Sequence, residues 1–267
     1  MRFSVRKPRR LAVGAFVVLI LAVIGFKERI IIEKKYEDVM LRFAPSAVRA
    51  NGYAVKHFDA RLPLEYDVDR AYRLFELTRD LDPKYPAVNH QLGRIEFLRG
   101  HLKEALALLD TEFVIDADPS PSSYYVRALI KGYLKDYLGA AADYEAYFKV
   151  TSANWAAIND YSWVLMEAGL QPGALEALNW GLLQWPGNPW LLNNRAIALY
   201  ELKRYKEAHE SALMALDAIS KLTEEDWYMA YPGNDPKVAA SGLATFQRTA
   251  QENFREIAAA YLKQKRR

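Results

Sequence analysis

Apolar side chains recur at every third and fourth position through most of the chain. Leu102, Leu106, Leu109 and Phe113 make one such run, and Leu175, Leu178 and Leu182 another. A step of three and four places them on one face of an α-helix, which turns once in about 3.6 residues. No segment shows the strict alternation that a half-buried strand needs, so the pattern predicts an all-α protein. The polar interruptions are as regular as the apolar runs. Arg99-Gly100-His101, Ala168-Gly169-Leu170 and Lys203-Arg204-Tyr205 separate the two helices of a pair. Asp82-Pro83, Asp118-Pro119 and Trp185-Pro186 close the second helix, because proline lacks the amide hydrogen a helix requires and restricts the residue before it.

The pairs repeat. Ala71, Ala105, Ala140, Ala174 and Ala208 lie 34, 35, 34 and 34 residues apart, each near the start of a second helix. Twelve residues before the last four stand Gly93, Ala128, Ser162 and Ala196, all small. Two antiparallel helices on a short turn approach closest at one crossing, and a bulky side chain there would force them apart. Neighbouring pairs must then stack, since one pair cannot bury its own apolar face.

The period, the small residue in the first helix, the alanine in the second and the closing proline resemble the tetratricopeptide repeat (TPR) family. The likeness covers about residues 52–220. It weakens at the start, where Asp59 holds the small-residue position and Pro63 interrupts a first helix, and in the third unit, where Asp136-Tyr137 replaces the glycine turn. The resemblance implies a TPR-type α-solenoid whose first helices line a concave, protein-binding face. At the other end Leu243, Phe246, Ala250, Phe254, Ile257 and Tyr261 again step by three and four. They predict a helix that caps the last repeat, or one that binds a partner or a second copy.

Residues 1–10 carry five Lys or Arg, and Leu11–Phe26 is an uncharged, mostly apolar run of sixteen. As a helix it would be about 24 Å long, near the thickness of a bilayer core if Ile30–Ile32 extend it. No small-residue cleavage site follows. The expectation is an uncleaved signal anchor, a transmembrane helix over residues 11–32 that contacts the lipid bilayer, with a cytoplasmic amino terminus and an extracytoplasmic body. The implied organisation is a basic flank at 1–10, the anchor, a helical juxtamembrane segment with a degenerate first repeat at 33–66, repeats over 67–220, and a capping helix with a basic tail at 221–267.

The net charge of +3 conceals a division: +7 over residues 1–35, −8 over 36–262 and +4 in the last five. An acidic body speaks against nucleic acid as a partner. The absence of cysteine removes disulfides, thiolate metal sites and thiol nucleophiles. His57, His90, His101 and His209 share no metal-ligand spacing, and no phosphate-binding glycine loop occurs. The chain therefore reads as having no catalytic residues, metal or cofactor.

Binding is the better prospect. Residues three before, one after and four after each small crossing residue form a helical stripe. The stripes bring up His90, Arg94 and Phe97; Tyr125 and Leu129; Asn159, Trp163 and Met166; Asn193, Ile197 and Tyr200, with Asn194 beside them. Asparagine can bond both polar groups of an extended peptide, and aromatic rings give rigid contact area. Trp163 reads first as packing between repeats, as aromatics at helical spacing usually do, and second as a groove residue. The expected function is an anchored TPR scaffold taking a protein or peptide in its groove, in envelope assembly or secretion. The alternatives are a cytoplasm-facing adaptor, and an enzyme or small-ligand binder using the same groove. Self-association stays open.

Overall fold

A computed structural model describes residues 28–230 and 239–266. Among them there is helix, turn and no strand. The chain divides into two compact units between Pro83 and Lys84.

The first unit holds α1 (residues 28–43), α2 (Ala47–His57) and α3 (Val68–Leu81). Ser46 and Asp67 cap α2 and α3 by accepting backbone N–H bonds from Arg49 and Arg70. The helices meet partly through small side chains, Ala50, Ala54 and Ala71 all being fully buried. Asp59 lies beyond the end of α2 and pairs with Arg61, so this pair lacks the small crossing residue at that position. What ties α1 to the others is charge. Glu37, 3% exposed, accepts from His57 Nε2 at 2.8 Å and from Arg70 Nη2 at 2.8 Å. Lys34 reaches Asp67 at 2.6 Å and Asp38 takes Arg70 at 2.8 Å. Burial pulls the Glu37 carboxyl upward, but the His57 and Arg70 hydrogen bonds outweigh it and hold the group below its ordinary value.

The expected membrane span does not survive. Among the described residues no helix is long and apolar enough to cross a membrane. The run 11–26 lies outside the described residues. Residues 28–32, read from the sequence as the end of an anchor, belong instead to α1, whose charged side chains are answered by protein: Glu33 by Lys56, Lys34 by Asp67, Glu37 and Asp38 by Arg70. One face of α1 is thus held to protein by charge, while Ile31, Ile32, Tyr36, Val39 and Phe43 stand exposed on it. The placement as a single-pass membrane protein with an extracytoplasmic body is therefore corrected and set aside.

The second unit is built from paired helices: α4 (Val88–Leu98) with α5 (Leu102–Ile115), α6 (Pro121–Tyr133) with α7 (Tyr137–Val150), α8 (Trp155–Glu167) with α9 (Gln171–Gln184), and α10 (Pro189–Glu201) with α11 (Tyr205–Ser220). Each crossing is tight. A Cβ on Gly93 would lie 2.1 Å from Leu109 Cδ2 and 3.2 Å from the Ala105 carbonyl oxygen. Ala128, Ala140, Ser162, Ala174 and Ala208 are fully buried, and Ala196 nearly so.

The four intrapair turns share one geometry. His101, Asp136, Leu170 and Arg204 each donate a backbone N–H to the carbonyl five residues back, with a left-handed residue just before. That residue is Gly100 or Gly169 in two turns, and Lys135 (φ 67°) or Lys203 (φ 62°) in the others. A side chain in this conformation costs about 1–2 kcal/mol. The hydrogen-bonding register, rather than a glycine, sets the turns at Lys135 and Lys203.

After α11 come a short helix α12 (Glu224–Ala230) and the long α13 (Ala239–Lys265). Leu243, Ala250 and Ile257 of α13 are buried. α13 packs on α11, and the Phe254 and Tyr261 rings lie against His209 at 5.5 and 5.0 Å. This covers the apolar face that the last pair would otherwise leave to water.

Candidate functional site

A groove of about 840 Å³ runs along the first helices of the second unit. His90, Arg94 and Phe97 of α4 form one side, Tyr125 and Leu129 of α6 the middle, and Asn154 and Trp155 at the start of α8 the other side. Tyr147 of α7 and Met229 of α12 complete it. α4 and α6 present matching positions to it, His90 with Tyr125 and Arg94 with Leu129, each pair one repeat apart.

α4 reaches the groove without a side-chain cap of its own. Ala87 at its amino end is left-handed (φ 59°) and offers no oxygen. Glu112, from α5, supplies one: its Oε1 accepts the Ala87 N–H at 2.9 Å, and the Asn89 and His90 N–H groups point at the same carboxylate. Burial raises the Glu112 carboxyl, with those N–H bonds acting the other way.

His90 is buried, and its Nδ1 lies 3.2 Å from the fully buried Ser123 Oγ. Burial, with nearby Arg94 adding to it, drives the imidazole down to about 3, so the ring is neutral at physiological pH. Arg94 donates to Gln91 Oε1 at 3.0 Å. Phe97 packs on Tyr133 with ring centroids 5.6 Å apart. Tyr125 meets the Tyr144 and Tyr147 rings at 5.7 Å each and donates its hydroxyl to Asp160 Oδ2. Asn154 Nδ2 donates to the Tyr147 hydroxyl at 2.8 Å.

The remaining stripe residues stand elsewhere. Asn194 donates to Asn159 Oδ1 at 3.0 Å and to its carbonyl at 3.2 Å, so these two amides bond each other across α8 and α10. Asn193 accepts from Asn253 of α13 at 3.5 Å. Tyr200 lies on Tyr205, 5.6 Å between centroids. Trp163 is laid on Gly132, where an added Cβ would sit 2.8 Å from the indole, and its ring meets Tyr133 at 5.4 Å. The structure thus gathers His90, Arg94, Phe97 and Tyr125 around one groove and turns the later amides toward repeat-to-repeat bonds. Asn159 and Asn194 sit one repeat apart at offset positions, which a list of matched positions does not reveal.

Sequence reasoning missed Asn154, Trp155 and Asp160. For the first two a signal was present. Asn154 caps α8 by accepting the Ala157 N–H at 2.9 Å, and Trp155 opens the helix as Pro121 and Pro189 open theirs. Trp155 stacks on Trp190 at 4.6 Å, and Trp190 on Phe246 at 5.7 Å, a row of rings leading from the groove to α13. Asp160 carries no sequence signal, since its burial comes from helices α6 and α7.

No protein-family model matches the chain, and no curated protein does. Solved structures do share the fold. YrrB, a TPR protein with an unusual peptide-binding site, superposes with a TM-score of 0.59 over 69% of this chain and 92% of its own, at 15% identity. MamA gives 0.54 over 60% and 94%, at 19% identity. A Podosopora anserina putative kinesin light chain with nearly identical TPR-like repeats gives 0.55 over 66% and 97%, at 18% identity. Identities this low establish the fold alone, and that fold is of the TPR type.

Proposed function

We propose that the protein is a TPR scaffold that takes an extended segment of a partner protein in the groove of α4, α6 and α8, and performs no chemistry there. The groove itself carries the reading. It is long, open and walled by Phe97, Tyr125, Leu129 and Trp155, the rigid apolar area on which peptide segments dock. Its polar side chains are held in fixed positions by one another, as a binding surface requires. The one imidazole in it is neutral, and the hydroxyl it faces is fully buried and out of a substrate's reach. YrrB, a TPR protein with an unusual peptide-binding site, supports the same function on the same fold.

A second hollow, about 910 Å³, competes. It lies between α7, α8 and α9 and is lined by Phe148, Tyr161, Leu165 and the half-exposed Trp180. A photo-crosslinking amino acid placed at Leu129 in one variant and at Trp180 in another separates the two. The expected result is a crosslink from Leu129 to one segment of one partner, abolished by a synthetic peptide of that segment. Crosslinks from Trp180 alone would move the site to the second hollow.

A further inference from the structure

The buried carboxylates Asp143, Glu96 and Glu112 of the second unit are answered by cations or backbone N–H groups, and the partly exposed Asp160 is not. Asp143 of α7 has Arg127 at 2.7 Å and Lys131 at 2.8 Å. Glu96 has Arg99 at 2.9 Å and His101 at 2.6 Å. Glu112 has the α4 amides. Asp160, partly exposed on α8, accepts from the Tyr125 hydroxyl and from Asn159 Nδ2 at 3.1 Å. Among the described residues no Lys, Arg or His pairs with it. Two neutral donors leave the carboxylate without a cation, and its partial burial raises the carboxyl.

What surrounds Asp160 is aromatic. Trp163 follows it by three residues on the same helix face, and Tyr133 stands across on α6, two turns beyond Tyr125. The Tyr133 and Trp163 rings are 5.4 Å apart, and Tyr133, 56% exposed, stays open to a ligand. Both Tyr133 and Tyr144 feel the Asp160 charge. A carboxylate bordered by ring faces attracts an organic cation twice, by direct charge and through the negative faces of the rings. Asp160, Tyr133 and Trp163 lie beside the groove rather than in its lining, joined to it by Tyr125, which donates to Asp160, and by Phe97, which packs on Tyr133. A guanidinium or ammonium on a flexible stem can therefore reach them while its own chain lies in the groove.

We propose that Asp160, Tyr133 and Trp163 form a subsite for one arginine or lysine side chain of the segment bound in the groove. The subsite rests on the reading of that groove as a peptide site, and it narrows the partner to one with a basic residue in its docking segment.

The test uses the full chain and immobilised degenerate nonapeptides whose central residue is fixed as Arg, Lys, norleucine or Glu. The Arg and Lys sets should retain the protein about tenfold better than norleucine, the factor that roughly 1.4 kcal/mol represents. Asp160→Asn should lower the Arg and Lys sets to the norleucine level, with a melting temperature at or above that of the parent. Tyr133→Leu removes one ring face and should reduce the preference, with circular dichroism checking that the helices are kept, and it carries the test if the Asp160 variant does not fold. Equal retention of all four sets overturns the subsite and leaves peptide binding standing. A preference for Arg that survives Asp160→Asn also overturns it. Retention of no set overturns both the subsite and the groove. The basic stretch at residues 1–10 is the rival occupant. If the Arg preference appears only after Arg2, Arg6, Lys7, Arg9 and Arg10 are changed to Ser, that stretch fills the subsite and the partner proposal fails.

Discussion

The two units of this chain are both helical and hold together by different physics. In α1–α3 the contacts between α1 and its neighbours converge on a buried acid, Glu37, gripped by His57 and Arg70. In the repeats the helices meet through alanine, glycine and serine at the crossings, with Leu109, Ile130, Leu178 and Leu199 buried around them. An ionic junction resists removal of a partner and gains little from its own presence, because the charges lose water to form it. An apolar crossing behaves the other way. It tolerates changes of chemistry but not of volume. Mutations and pH should therefore separate the units.

The largest effect is expected at Glu37. Glu37→Ala leaves Arg70 and His57 facing a void, and breaking a buried pair in this way costs about 3–5 kcal/mol. Hydrogen exchange on the full chain should show protection lost from α1–α3 and kept in α4–α11. Equal loss in both units would mean that they unfold as one. Next comes Ala174→Trp in the repeats, at a fully buried position opposite Ser162. Overpacking of this kind costs about 1–3 kcal/mol, and the loss should map to α8 and α9. A melting curve identical to that of the parent would refute the register of the crossing.

Acid should act on the carboxyls of the two units with opposite signs. Glu37 and Asp67 sit below their ordinary values, so their contribution is complete above the unfolded pKa and is lost as pH falls through the folded one. Glu112 and Asp160 sit above theirs, so their contribution is complete below the unfolded pKa and is lost as pH rises through the folded one. His90 opposes them: driven down to about 3, it stays neutral in the folded state while its unfolded form takes up a proton between neutrality and about pH 4. In a His90→Gln variant, which removes that loss, the second unit should gain relative to the first over this range. Exchange protection compared at the two ends of that range, corrected for intrinsic rate, reads the sign directly. A parallel decline in both units of that variant would show that the Glu112 and Asp160 carboxyls are compensated after all.

The smallest effect belongs to the turns. Lys135→Gly relieves the left-handed strain at a turn whose hydrogen bonds are already those of Gly100 and Gly169. Glycine costs chain entropy in return, so a gain of about 0.5–1 kcal/mol is expected. A lowered melting temperature would show that the Lys135 stem packs usefully.

Much of this architecture was legible in residue order. The spacing of Ala105, Ala140, Ala174 and Ala208, and of the small residues twelve before them, marks the crossings because only small side chains allow that approach. The prolines after α3, α5 and α9 mark ends because proline cannot donate. The groove was half legible. His90, Arg94, Phe97 and Tyr125 could be placed on it by period alone, since α4 and α6 keep the same register. The membrane placement was misread for a related reason. Composition describes residues 28–32 as an extension of an apolar run, and only their neighbours show α1 engaged by Lys56, Asp67 and Arg70.

Local rules thus sufficed wherever a property depends on atoms a few residues apart: helix period, caps, turns and the volume at a crossing. They could not reach Glu112 capping a helix twenty-five residues earlier, Asn159 bonding Asn194, or Asp160 enclosed by the tyrosines of α6 and α7. A charge acquires its meaning from what excludes water around it and what stands opposite it. In a stack of helices both come from other repeats.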